Sequence, residues 1–255
     1  MLGRNTIHGF TSVIAVKSTA LALLGVAVLL LWSITACSGP RPDSPPPVAN
    51  ADTCPDAEVV FARGSGEEPG VGGIGQAFIE ALRAKTRAKS VSVYPVNYPA
   101  SDDFSEWGPF ALSVIDGIRD ASSHIAALTA NCPATKIVLG GWSQGAAVAS
   151  YATSAETIHV DDALGASAPS PMPPEIANHV AAVVLFGNPS NLFLSGVDLP
   201  PITIGPLYAA KTIEQCATGD TVCNGDQPEE PTEAHHSYDT NGMVDRAAQF
   251  AAERL

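Results

Sequence analysis

Positive charge is scarce in this chain: 13 lysines and arginines stand against 26 aspartates and glutamates, and charged residues make up 15% of the 255 positions. A net charge of −13 excludes the usual binder of DNA or RNA, whose affinity rests on Lys and Arg against phosphate. No Gly-rich phosphate loop of the GxxxxGKS/T or GxGxxG kind is read in the chain, so a nucleotide-driven enzyme is not expected. CxxC and HxxxH spacings are absent too, which speaks against a structural zinc site. There is no internal repeat. Residues 1–37 hold no acidic residue at all, only Arg4 and Lys17.

What the chain does have is apolar surface. A hydrophobic content of 45% is enough for a sizeable core and too much for a disordered polymer. Part of it belongs to the N-terminus. Residues 18–36 form an uncharged run rich in Leu, Val and Ala, the pattern of a membrane-targeting segment rather than of a fold. Three fates are open to it. A 19-residue run can stay as an anchor. Ala49-Asn50-Ala51 has the small-x-small pattern of a cleavage site, although it lies well beyond the run. Ile34-Thr35-Ala36-Cys37 resembles a bacterial lipobox, in which Cys37 would carry lipid after cleavage; this is the fate adopted here, with attachment to a membrane through the segment or its lipid. Residues 38–53 follow as a linker. Five prolines fall within residues 38–48, so it reads as an extended, semi-rigid spacer. Residues 54–255 form the exported domain.

Setting Cys37 aside leaves Cys54, Cys132, Cys216 and Cys223, an even number in an exported domain, for which disulfides are the default. Four cysteines allow three connectivities. Cys216 and Cys223 bracket a turn-like stretch and are paired with each other, leaving Cys54 with Cys132. On the chain-entropy model the long loop contributes about 4.5 kcal/mol and the short one about 2.5 kcal/mol.

The exported domain alternates strand and helix. Short β-branched runs occur at 57–62, 91–96, 136–142 and 180–186, with a fifth candidate at 211–215. Helical spacing of apolar residues occupies 74–85 and 110–128, resumes directly after 142, and returns at 242–255. Pro95 places the second strand near an edge. The alternation predicts an α/β fold with a central, mostly parallel five-stranded sheet flanked by helices.

The chemistry gathers at Gly141-Trp142-Ser143-Gln144-Gly145, a GxSxG motif between a strand and a helix. That context puts a serine hydroxyl on a sharp turn at the end of the sheet, with helix amides aimed at a developing oxyanion. A serine nucleophile needs a base, and the base an orienting acid; in this fold class the chain order is Ser, acid, His. His159 and His179 come too early and read as surface histidines. His235 and His236 fall where the base belongs. For the acid, Asp220 lies inside the Cys216–Cys223 loop, with Asp226, Glu229, Glu230 and Glu233 as competitors.

Four motifs in this order resemble the cutinase family, and the opening Cys54-Pro-Asp-Ala-Glu-Val-Val-Phe61 is similar to the cutinase-like proteins of mycobacteria. The other motifs are Phe61-Ala-Arg-Gly-Ser-Gly-Glu67, Gly141–Gly145, and Cys216-Ala-Thr-Gly-Asp-Thr-Val-Cys223 followed by His235-His-Ser-Tyr238. The resemblance spans nearly all of 54–255. It implies a compact α/β-hydrolase without a large lid, Ser143 as nucleophile, Asp220 as acid and His235 as base. His235, not His236, fits the family's His-x-x-Tyr. The resemblance also implies an oxyanion hole from the amides of Ser65 and Gln144, and disulfides Cys54–Cys132 and Cys216–Cys223. The leader, the spacer and the acidic stretch at 226–233 depart from secreted cutinases.

The expected activity is hydrolysis of lipid or short-to-medium acyl esters through an acyl-enzyme, with no metal or cofactor, no nucleic-acid partner, and a monomeric chain exported or held at the cell envelope. Two alternatives use the same residues: an acyltransferase, in which an envelope alcohol replaces water, and an inactive envelope lipoprotein that only binds.

Overall fold

The β-branched runs pair into one sheet. Its strands are β1 (Ala57–Ala62), β2 (Val91–Pro95), β3 (Lys136–Trp142), β4 (Val180–Phe186) and β5 (Thr212–Gln215). The structure is a computed structural model, and it describes residues 54–104, 107–157, 169–197, 199–225 and 231–255. The leader with Cys37, the Ala49-Asn50-Ala51 site, the linker, His159 and the acids Asp226, Glu229 and Glu230 lie outside the described residues.

All four strand pairings are parallel, in the order β2-β1-β3-β4-β5. β2 is an edge strand, which is where Pro95 is tolerated. From β1 the chain moves outward to β2, then crosses back to β3 on the other side of β1. The order of the sheet therefore reverses between β1 and β3, and in open α/β sheets the crevice at the carboxyl ends of two such strands is where ligands bind.

Both faces of the sheet are covered, so its strands read as continuous apolar runs rather than as alternating ones. Every residue of β1 is buried. Val60, Leu139 and Leu185 point to one face, where α2 (Trp107–Asn131) and α3 (Gln144–Ala152) supply Val114, Ile118, Ile125 and Val148. Val59, Phe61, Val138 and Phe186 point to the other, against Phe78 and Leu82 of α1 (Gly72–Lys85) and Ala247, Ala248 and Ala251 of α6 (Met243–Ala252). Phe61, Phe78 and Phe186 form a ring cluster with centroids 5.9–6.5 Å apart. Each such ring contributes about 1.5–3 kcal/mol by leaving water.

Two short helices escaped the periodicity reading: α4 (Asn191–Gly196), capped by the Ser190 hydroxyl accepting from the Phe193 amide at 3.2 Å, and α5 (Pro206–Ala209). Elements of four to six residues are too short to show a 3.6-residue period. 3₁₀ turns at Pro174–Asn178 and Glu233–His236 went unseen for the same reason.

One part of the phosphate-loop exclusion is corrected: a run with GxGxxG spacing, Gly70-Val71-Gly72-Gly73-Ile74-Gly75, leads into α1 after β1. In a nucleotide enzyme the helix N-terminus behind such a run would take a phosphate. Here the Glu67 carboxylate takes that place, accepting from the Gly73 amide at 2.8 Å and the Gly64 amide at 2.7 Å. A Cβ on Gly72 would sit 2.0 Å from that carboxylate. The run folds the chain's own anion into the helix start.

The disulfides are Cys54–Cys132, with a sequence separation of 78, and Cys216–Cys223, with a separation of 7. All four cysteines among the described residues are paired. The long bridge ties the entry to β1 to the entry to β3, at the end of the sheet away from the GxSxG turn. The short one closes the loop that leaves β5. Two disulfides fit an oxidising compartment outside the cytoplasm.

Candidate active site

Ser143 follows β3 directly and starts α3. Its backbone has φ 56° and ψ −120°, a conformation that L-residues avoid and that persists only where the surroundings impose it. They do so from two sides. The Ser143 amide donates to Phe186 O at the end of β4 (2.9 Å), and the Ser143 carbonyl accepts from the amides of Ala146 (2.9 Å) and Ala147 (3.1 Å) in the first turn of α3. The flanking glycines are steric requirements. A Cβ on Gly141 would lie 2.0 Å from Gly145 O, and one on Gly145 2.0 Å from Ala62 O. Strand and helix cross in backbone contact, and the serine side chain is turned out of the sheet.

Asp220 sits in the loop after β5, fully buried, and His235 in the 3₁₀ turn, 2% exposed. His235 Nδ1 lies 2.8 Å from Asp220 Oδ2. The same oxygen accepts from the Tyr238 hydroxyl at 2.5 Å, and Oδ1 accepts from the Val222 amide at 2.9 Å. Burial by itself would raise the Asp220 pKa; the hydrogen bonds from His235, Tyr238 and Val222 outweigh it and hold the carboxyl below its ordinary value. Tyr238 pays for its place in the core: burial and the bond to Asp220 push its hydroxyl well above the usual phenol range. With Nδ1–H donating to a carboxylate, the imidazole presents its lone pair at Nε2. That atom is buried and has no hydrogen-bond partner among the described residues.

The structure brings Ser143, His235, Ser65 and Gln144 to one cleft of about 150 Å³. Ser65 stands just beyond β1 and Ser143 just beyond β3, at the crevice where the strand order reverses. As the first residue of α3, Gln144 has an amide without an intrahelical acceptor. Phe104, Phe110, Phe193 and Val222 supply an apolar wall. A larger hollow of 620 Å³, between Asn97 and Ser123, has no histidine in its lining. Its acids are already engaged, Asp116 with Arg119 at 2.6 Å and Asp120 with the Asn97 amide at 2.8 Å and the Tyr94 hydroxyl.

The other candidates lie apart from the Asp220–His235 pair. Glu233 is exposed and makes no bond to His235, whose Nδ1 belongs to Asp220. His236 borders the cleft and packs edge-on against Trp142, 5.3 Å between centroids, without contacting Asp220. His179 precedes β4, at the opposite end of the sheet from Ser143.

Three supports were not read from the sequence. Tyr238 enters the sequence reading only as a motif position; its hydroxyl holds Asp220. Trp142, the first of the two variable residues of GxSxG, donates its indole N–H to His235 O at 3.0 Å. Gly187, at φ 57°, lets β4 end against the Asp220–His235 pair, since a Cβ there would come within 2.8 Å of His235 Cε1 and 3.1 Å of Asp220 Oδ2. Its signal was a glycine directly after a strand.

Comparison with known proteins agrees with this architecture. Residues 53–255 match the family model described as Cutinase. Carboxylesterase Culp1 of Mycobacterium tuberculosis is 46% identical over 238 residues, covering 91% of this chain and 94% of the relative. Probable carboxylesterase Culp7 of the same organism is 56% identical over 170 residues, 66% of this chain and 87% of the relative. Phospholipase Culp4 is 44% identical, over 79% and 80% respectively. Among solved structures, a Trichoderma reesei cutinase in complex with a phosphonate inhibitor superposes with a TM-score of 0.58 at 29% identity, covering 78% of this chain and 76% of that one.

Proposed function

The chain belongs to the cutinase family and is a carboxylic ester hydrolase, and we propose that it cleaves lipid or short-to-medium acyl esters through a Ser143–His235–Asp220 triad and an acyl-enzyme. One observation carries this reading. A buried imidazole, fixed at Nδ1 by a carboxylate and unpartnered at Nε2, shares a cleft with a serine on a strained strand–helix turn.

The steps follow from the geometry. His235 Nε2 takes the hydroxyl proton as Ser143 Oγ attacks the ester carbonyl, and Asp220 stabilises the imidazolium without taking the proton itself. The amides of Ser65 and Gln144 receive the oxyanion; losing one such donor typically costs about 3–4 kcal/mol of barrier. His235 returns the proton to the departing alcohol. Water then enters and attacks the acyl carbonyl as His235 takes its proton; the acyl–Oγ bond breaks, the acid leaves, and His235 passes the proton to Ser143 Oγ. The phenylalanine wall suits an acyl chain, and its modest volume favours short-to-medium chains. The Phospholipase name of one relative supports a lipid ester as substrate. We further propose that the domain works outside the cytoplasm as a monomer, held at the membrane through its N-terminal segment with lipid on Cys37.

The test is an activity profile on p-nitrophenyl esters of graded acyl length, with Ser143→Ala as blank, plus mass spectrometry after reaction with a serine-directed phosphonate. Expected are an optimum at short or medium chains, no turnover by the blank, and label on Ser143. Retained activity in Ser143→Ala would remove the nucleophile assignment. Unlabelled, inactive protein would point to a binding role. Electrophoretic comparison of Cys37→Ala with the parent in membrane and soluble fractions tests the anchor; a lipid-free mature N-terminus at Asp52 would refute it.

A further inference from the structure

The two oxyanion amides come from segments 79 positions apart in sequence (Ser65 and Gln144), and both must face one oxygen atom. Between β2 and α2 runs a short stretch, residues 98–101, whose four consecutive carbonyls each accept a hydrogen bond from one of those segments. Arg63 Nη2 donates to Tyr98 O at 2.8 Å and to Pro99 O at 3.2 Å. The Gly66 amide, next to Ser65, donates to Ala100 O at 2.8 Å. Gln144 Nε2 donates to Ser101 O at 3.2 Å. In return, the Tyr98 hydroxyl donates to Arg63 O.

The stretch is held in an uncommon shape. Ala100 has φ 50° and is 2% exposed, a left-handed conformation that surrounding contacts must impose. Ser113 of α2, 1% exposed, closes it on the nucleophile's side. The Ser101 amide donates to Ser113 Oγ at 3.1 Å, and Ser113 Oγ donates to Gln144 Oε1 at 3.2 Å. With Gln144 Nε2 on Ser101 O, this makes a closed ring of Ser101, Ser113 and Gln144 in which the hydroxyl both accepts and donates. Gln144 is itself 1% exposed, so its side chain has no water to bond instead, and a missing partner would be felt.

We propose that residues 98–101 form a backbone strap that sets the spacing of the two oxyanion amides, and that Ser113 is the positioning residue that locks the strap to Gln144. This rests on the serine esterase reading above. Ser113 touches neither substrate nor Ser143. It acts on the transition state alone, because the spacing of the amides matters when charge develops on the carbonyl oxygen and little for holding the ground-state ester.

The experiment compares Ser113→Ala, Gln144→Met and the double variant in the full chain. Three quantities are read on a medium-chain p-nitrophenyl ester: kcat, KM, and the Ki of a matching trifluoromethyl ketone, whose hemiketal with serine places an anion in the oxyanion site. Each single variant should lower kcat by about tenfold, less than the loss of a whole donor, with KM within about twofold and Ki raised in step with kcat. The double variant should be no worse than either single one, since both break the same ring. Gln144→Met keeps its own backbone amide, so it decides the matter should Ser113→Ala not fold. An unchanged kcat in a folded variant, a loss confined to KM, or additive losses would overturn the strap. Those results, with Ser143→Ala inactive, leave the nucleophile assignment standing. An active Ser143→Ala would instead sink the reading on which the strap depends.

Discussion

The turn that carries Ser143 is held by backbone on every side, whereas the loop that carries Asp220 and His235 is held largely by side chains. Ser143 stands between a central strand and a helix, its amide on β4 and its carbonyl inside α3. Asp220 follows a four-residue edge strand. Its loop is kept in place by the Cys216–Cys223 bridge, by Tyr238 and Val222 on the carboxylate, and by the Thr232 hydroxyl on Gly219 O at 2.7 Å. The difference teaches where function can be separated from folding. Added bulk at the turn's glycines disturbs the packing of the sheet, while a change in the loop can displace Asp220 and leave the sheet intact.

The largest expected effect removes the chemistry on either support. Ser143→Ala and His235→Ala should each lower turnover by on the order of 10⁴-fold or more, because such groups act as a unit, with melting temperatures within a few degrees of the parent. His236→Ala should lose only a few-fold. Steady-state kinetics on one ester decides it, and a severe His236→Ala with a mild His235→Ala would place the base one residue later.

Next in size is the short bridge. Cys216→Ser/Cys223→Ser should fold, since the short loop contributes only about 2.5 kcal/mol, yet lose on the order of 100-fold in turnover per folded molecule through displacement of Asp220. Active-site titration alongside circular dichroism measures this. Turnover equal to the parent's would show that the loop stands without its bridge.

Tyr238→Phe sharpens the comparison further, with a loss of about tenfold in turnover expected from one hydrogen bond to a charged group. It also carries a pH signature. A carboxyl whose folded pKa is depressed stabilises the fold above its unfolded value, about 3.9, and that contribution fades as pH falls through the folded value. Removing the hydroxyl raises the folded pKa, so acid unfolding should begin at higher pH in Tyr238→Phe than in the parent. Tryptophan fluorescence along an acid titration reads the midpoint, and coincident midpoints would mean that Tyr238 does not hold the carboxylate.

The smallest effect on turnover belongs to the long bridge, at the far end of the sheet. Cys54→Ser/Cys132→Ser should cost about 4.5 kcal/mol of stability while the folded fraction keeps the parent's turnover. Denaturant titration and turnover per folded molecule together test it; a loss of turnover matching that of the short-bridge variant would erase the distinction between the two ends.

The sequence by itself determined the sheet, its layers and the place of the GxSxG turn. Runs of β-branched residues and 3.6-residue spacing are local signals, and Pro95 marked the edge strand because a missing N–H has one tolerable location. Asp220 and His235 could be named because the motifs around them occur in order along the chain. Only the tertiary structure decided how that pair is held. The phenol of Tyr238, the indole of Trp142 and the bare Cα of Gly187 converge on it from three separate elements, and no spacing along the chain encodes such convergence. The same holds for residues 98–101, where an unremarkable alanine takes a left-handed backbone because four neighbouring carbonyls are claimed by groups distant in sequence. The glycine run at 70–75 shows the reverse: a local pattern suited to phosphate, made into a carboxylate-capped helix start by a glutamate three residues upstream. Local pattern sets what a segment can become, and desolvation with mutual hydrogen bonding in the packed interior selects which partner it takes.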